Sequence, residues 1–216
     1  MSACDENVKI YNSAFEDPKL EKEFQELLEK HWKAVIQTMS KPDLRQADLR
    51  GADLKGAGLE RVMLNGAKLQ GADLSGARLD STSLDFTELE GAALNETNLD
   101  GVSAIYANFE NANLNRASLK NSNLIRTQFK GANLTSANLS YSTLIFSDFS
   151  NATLLNSKFI FSNLSFSKIK NTKSSNTVAS RFGVFIAPLR NIFQTGEMII
   201  DPPNVNSAII YAKIFL

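Results

Sequence analysis

Very little in this sequence has the residue types that catalysis requires. His31 is its only histidine and Cys4 its only cysteine. A nucleophile–base relay or a zinc cluster would have to be assembled around that one imidazole. His31 stands beside Trp32 in an apolar stretch, which reads as a packed or surface position. Carboxylates are the remaining candidates. Asp43, Asp48 and Asp53 lie close together in sequence, while Asp80 and Asp100, and likewise Glu90 and Glu110, recur at an interval of 20 residues. Stacked carboxylates roughly 5 Å apart could chelate a cation or meet a basic partner, although a solvated acidic surface is the plainer reading. No glycine loop of phosphate-binding spacing occurs. The expectation is no enzyme, no cofactor and no metal.

The elements that would have to position these groups follow from a five-residue series. From Leu44 to Ile169, 24 of 26 positions spaced by five are Leu or Phe, the others being Ala104 and Ile169. Two residues before each anchor stands a small residue, 13 times Ala and 10 times Ser or Thr. Five residues at about 100° each would scatter the anchors around a helix. In a continuous strand an odd period would send every second anchor outward. The chain must therefore turn between anchors, with each anchor and the small residue two before it facing in. Eight of the 11 glycines sit two residues after an anchor, where a tight turn uses positive φ. The inward Thr82, Thr87, Ser122, Ser142 and Ser147 are expected to bond the backbone inside the coil rather than act as nucleophiles.

Departures from the series give the size of the coil. Phe109, Phe129 and Phe149 replace Leu at intervals of 20. The outward Ile105, Ile125 and Ile145 share that interval, and so do Phe86, Tyr106, Phe146 and Phe166, with Arg126 in the remaining place. Four units per coil, and a square solenoid, follow. These outward residues should make one wall apolar, extended by Tyr141, Leu155, Ile160 and Phe161. Such a patch marks an interface.

Segments such as Ala47-Asp48-Leu49-Arg50-Gly51 and Ala132-Asn133-Leu134-Thr135-Ser136 resemble the A(D/N)LXX unit of the pentapeptide-repeat family, over roughly 41–172. The resemblance implies an all-β solenoid, a right-handed quadrilateral β-helix of about 6.5 coils. It also implies two possible modes of action. Known members often pair through their C-terminal ends, and some mimic duplex DNA to bind type II topoisomerases.

Three segments are expected. Residues 1–40 would carry an amphipathic helix over about 18–39, starting at Asp17-Pro18 and ending before Lys41-Pro42. Its apolar face (Leu20, Phe24, Leu27, Trp32, Ile36) would cover the open first coil. The solenoid would span 41–172. Residues 173–216 would form a linker, over Thr172–Thr177, and an apolar capping, docking or dimerisation tail. That tail, a second copy or a foreign protein would cover the apolar wall.

Charge is balanced overall but segregated along the chain. Between Leu79 and Asn115 stand seven acids (Asp80, Asp85, Glu88, Glu90, Glu96, Asp100 and Glu110) and no Lys or Arg. From Arg116 to Lys173 eight basic residues face Asp148 alone. Wrapped into coils, the first block becomes an acidic belt. The second spreads over all walls and forms no nucleic-acid stripe, so direct nucleic-acid binding is not expected. No apolar run reaches about 18 residues, so no membrane span is expected. A polar, acidic start and a single cysteine make the cytoplasm the expected location. The sequence points to a rigid rod presenting an apolar wall and an acidic belt to a protein partner not named by its residues.

Overall fold

The structure is a computed structural model that describes residues 43–179 and the strand Met198–Ile200. It is a square β-solenoid. Parallel bridges join Asp43 to Met63, Asp48 to Lys68, Asp53 to Asp73 and Gly58 to Arg78, and the same step of 20 continues to Thr153 and Lys173. These four starting points define four walls. Wall 1 carries the column from Asp43 and Met63 to Asn163, and walls 2, 3 and 4 begin at Asp48, Asp53 and Gly58. The three aspartates that neighbour one another in sequence therefore face three directions.

Most corners are tight turns closed by a hydrogen bond between an anchor carbonyl and the amide three residues on, as from Ala47 N–H to Leu44 C=O at 3.1 Å; at the Leu119 corner Ser122 N–H donates to Ser142 Oγ instead. The residue two after every anchor, from Gln46 to Asn176, has φ between 53° and 70°. Positive φ at the third residue alone is the signature of a type II turn. Between coils the backbone bonds are continuous, for example Leu94 N–H to Asn113 C=O at 2.7 Å and Asn113 N–H to Ala92 C=O at 2.9 Å.

Inside, the anchors and the small residues form one core running the length of the rod. Phe109, Phe129 and Phe149 stack face to face with centroids 5.2 and 4.9 Å apart, and Phe159 meets Phe149 edge-on. The inward hydroxyls behave as expected. Thr82, Thr87, Ser122, Ser142 and Ser147 donate to the carbonyls of Leu59, Leu64, Leu99, Leu119 and Leu124, at 2.6–2.9 Å. Each bond ties a coil to the one before it and satisfies a hydroxyl that would otherwise be buried without a partner.

The end of the solenoid lies beyond the expected boundary at 172. Thr172–Thr177 is not a linker: Lys173 pairs with Thr153, Asn176 holds a corner at φ 53°, and Thr172, Ser174 and Thr177 point into the coil. The backbone ladder tolerates a polar interior here because the hydroxyls bond carbonyls, as Thr177 does with Leu154. Strand β1 (Lys158–Phe159) pairs in parallel with β2 (Thr177–Ala179), and β2 with β3 (Met198–Ile200). Lys158 aligns with Val178 but Val178 with Ile199, one residue more than the regular step. This part of the apolar tail thus covers the β2 edge on wall 4. The helix expected over 18–39, and the rest of the tail, lie outside the described residues.

Two substitutions separate core from corner. Leu94→Ala, in the fully buried series, should lower unfolding free energy by about 2–5 kcal/mol in urea denaturation. At Gly91 (φ 64°) an added Cβ meets nothing within 4 Å, so Gly91→Ala isolates backbone strain. It should cost about 1–2 kcal/mol. No measurable cost would contradict the corner assignment.

Candidate functional site

All the large hydrophobic side chains exposed among the described residues gather on wall 1 and its two borders. Met63 lies on the wall itself. Phe86, Tyr106, Phe146 and Phe166 occupy the corner it shares with wall 2, and Tyr141 and Phe161 the corner it shares with wall 4. Their exposures run from 43% to 63%, in a fold whose anchors from Leu44 to Leu164 are buried. That concentration differs from the scatter of single apolar residues normal on a surface.

The first corner is a continuous ladder. Phe86 stacks on Tyr106 at 5.3 Å with planes 6° apart, and Phe146 on Phe166 at 5.0 Å with planes 16° apart. Arg126 fills the gap, its guanidinium 5.4 Å from the Tyr106 ring and 5.3 Å from the Phe146 ring. A cation held between two aromatic faces is stabilised by both quadrupoles. Ile105, Ile125 and Ile145 flank the ladder half-buried. At the opposite corner Tyr141 stacks on Phe161 at 5.3 Å. All eight residues expected at the interface are brought together. Of the expected extension, Tyr141, Ile160 and Phe161 border wall 1. Leu155 does not, because its column turns between walls 3 and 4.

The sequence reading missed the backbone under this ladder. Phe86, Tyr106, Arg126, Tyr141, Phe146, Phe161 and Phe166 all hold φ between 55° and 63°, which bulky residues rarely adopt. Each holds the corner position that glycine takes at eight other turns. The available signal was an aromatic where the repeat otherwise favours Gly, Asn or Ser.

The acids expected to form a belt are largely occupied by bonds within the rod. Asp85 accepts from Ser103 Oγ at 2.6 Å and from Ile105 N–H at 2.8 Å. Asp100 does the same with Ser118 Oγ and Lys120 N–H, at 2.6 and 2.9 Å. Asp80 accepts from Asn98, Glu88 from Gln70 and Glu90 from Asn108. Where acidic coils meet basic ones, axial ion pairs join them: Glu96–Arg116 at 3.2 Å, Asp100–Lys120 at 3.0 Å and Glu110–Lys130 at 3.2 Å. No three His, Cys, Asp or Glu among the described residues are placed to hold a metal ion. Nor is any helix among them long and apolar enough to cross a membrane.

The pentapeptide-repeat family model matches residues 43–80, 82–121, 112–145 and 137–173, in eight copies. The chain belongs to the pentapeptide-repeat family. That family is structural and non-catalytic, and its β-solenoids can mediate protein interactions. Three solved structures illustrate the likeness. QnrB1, a plasmid-mediated fluoroquinolone resistance protein, is 16% identical with a TM-score of 0.48, over 78% of this chain and 94% of its own. The pentapeptide repeat protein Rfr23 from the cyanobacterium Cyanothece 51142 is 25% identical with a TM-score of 0.42, over 60% and 89%. One from the Arabidopsis thaliana thylakoid lumen is 27% identical with a TM-score of 0.34, over 52% and 75%. No curated protein matches the chain by sequence.

Four aspartates outside the belt of this pentapeptide-repeat rod have lowered carboxyl pKa values. Hydrogen bonds from Arg45, Arg50 and Ser75 hold Asp43, Asp48 and Asp73 below the ordinary carboxyl value of 3.8. At Asp148 burial pushes upward and is outweighed by bonds from Ser150 and Lys168, so the net shift is also down. Such groups stabilise the fold fully above the unfolded value and lose that contribution as pH falls through the folded values. The urea midpoint should therefore be insensitive to these groups above about pH 5 and fall below about pH 4. Asp48→Asn should flatten part of the fall. A midpoint that rises on acidification would contradict the assignment.

Proposed function

We propose that this protein is a non-catalytic interaction module whose wall 1 binds a protein partner. The gathering of every exposed large hydrophobic among the described residues on one wall and its two corners carries the reading. An aromatic ladder with an embedded arginine also has the composition of an interface centre. The rod suits the task because its backbone hydrogen bonds run from coil to coil, leaving side chains at fixed intervals on a stiff frame.

Affinity capture comparing the wild-type chain with a Tyr106→Glu/Ile125→Glu variant tests this. Partners captured through wall 1 should be lost from a variant that keeps its urea midpoint. A folded variant that retains every partner would overturn the reading.

A second reading, implied by the resemblance to the pentapeptide-repeat family, is engagement of a type II topoisomerase by mimicry of duplex DNA. Asp80, Asp85, Glu88 and Glu90 favour it, being bonded to the neutral Asn98, Ser103, Gln70 and Asn108. Against it, the axial pairs at Glu96, Asp100 and Glu110 set basic residues beside the next acids. A gyrase supercoiling assay decides. Inhibition, or protection from a fluoroquinolone, by micromolar protein would support mimicry, and neither effect would remove it.

A further inference from the structure

We infer that wall 1 takes an amphipathic α-helix of a partner protein, laid along the rod axis, with a carboxylate in its apolar face opposite Arg126. The inference rests on wall 1 being a protein interface. It adds the shape and charge of what binds there.

Spacing argues for a helix. Successive rungs from Phe86 to Phe166 lie 5.0–5.4 Å apart. An α-helix rises about 5.4 Å per turn. A helix along the ladder therefore offers one apolar side chain per turn against a coil-to-coil step of about 4.8 Å, a mismatch of about 0.6 Å per rung that a modest tilt of the helix absorbs. A strand laid along the axis repeats every two residues, about 6.6 Å, and falls out of step within two rungs. A strand laid across the wall would need free backbone groups. On wall 1 those groups are already bonded between coils, as Ser103 N–H is to Thr82 C=O and Ala104 N–H to Asn123 C=O.

Charge argues for acid in the partner. Arg45, Arg50, Arg78 and Arg116 each pair with a carboxylate. Among the described residues, only Arg61 and Arg126 of the arginines have none, and both stand on borders of wall 1. The wall's own carboxylates are committed, Asp43 to Arg45 and Asp85 to Ser103 and Ile105. Glu60, Asp80 and Asp100, at the border with wall 4, turn to Arg78, Asn98 and Ser118 on that neighbouring wall. The rings add to this preference. Within the ladder the ring faces are turned to one another and to Arg126, so the ring edges point outward from the wall.

The test uses the full chain and two synthetic helical peptides read by fluorescence anisotropy. Both carry Leu at positions i, i+4, i+7 and i+11, with one central apolar position replaced by Glu in the first and by Lys in the second. The Glu peptide should bind saturably, and the Lys peptide about tenfold more weakly or worse. Arg126→Glu should reverse that order. Arg126→Gly, which relieves a strained corner and so keeps the fold, should abolish the preference. Joint Phe86→Gly/Phe166→Gly substitution should weaken both peptides alike.

Absence of saturable Glu-peptide binding overturns the inference. So does a dimer in sedimentation that Arg126→Glu dissolves, since the occupant would then be a second copy. Equal affinities that still depend on Phe86 and Phe166 overturn the charge assignment while leaving wall 1 an interface. If neither peptide binds and the Tyr106→Glu/Ile125→Glu variant keeps all partners, wall 1 fails as an interface too.

Discussion

Everything in this molecule depends on a left-handed backbone conformation imposed at every fifth residue. The square coil closes only because the residue two after each anchor adopts positive φ, from Gln46 through Asn176. That conformation costs an L-residue roughly 1–2 kcal/mol, whereas glycine adopts it freely. With the corners fixed, the anchors point in, coil stacks on coil at a step of 20, and any outward residue is aligned with its equivalents above and below. Side-chain ladders follow from that alignment. Phe109, Phe129 and Phe149 form one within the core, and Phe86 to Phe166 form another on the surface. The inner stack is an ordinary consequence of burial. The outer one sets aromatic rings where the backbone would prefer glycine, with their edges exposed, and packing among the described residues does not explain that choice.

The legibility of each part in the sequence followed the physics that determined it. Burial leaves a strong compositional trace, so the anchors, the small inward residues and the roles of Thr82 and Ser142 could be read directly. Register left its trace in the exceptions: Phe109 and Phe129, or Ile105 and Ile125, gave the 20-residue coil because like residues stack. The end of the rod was harder. At Thr172, Ser174 and Thr177 the core residues are polar, so composition signals an exit while backbone pairing continues. Leu155 was placed on the apolar wall by hydrophobicity alone, although its column faces elsewhere. Met63 was passed over because a lone exposed methionine has no stacking partner to mark it. The strain beneath the ladder was legible only by joining two signals, the positive φ implied two residues after each anchor and the aromatics that stand there in place of Gly.

Electrostatics follows the same geometry. A chain with an acidic stretch followed by a basic one suggests two opposed surfaces. Coiling instead brings residues 20 apart into contact, so the junction of the two stretches becomes a set of axial ion pairs on three corners. Exposed pairs of this kind contribute about 0–1 kcal/mol each. Their larger effect is to leave much of the rod locally neutral. Against that background Arg126 stands out, a cation held by rings rather than by an acid.

The central claim is that the surface ladder is present for binding and the inner series for stability. Replacing Phe86, Tyr106, Arg126, Phe146 and Phe166 together by Gly, and measuring unfolding free energy in urea, tests it most directly. Each change forfeits a stacking contact worth about 0.5–1.5 kcal/mol and relieves backbone strain of about 1–2 kcal/mol. Over five positions these ranges sum to anything from a loss of about 2.5 to a gain of about 7.5 kcal/mol, so the account predicts no net loss beyond about 2.5 kcal/mol. A loss of about 2–5 kcal/mol per residue, the scale of core truncation, would make the ladder part of what holds the rod together and would contradict the account.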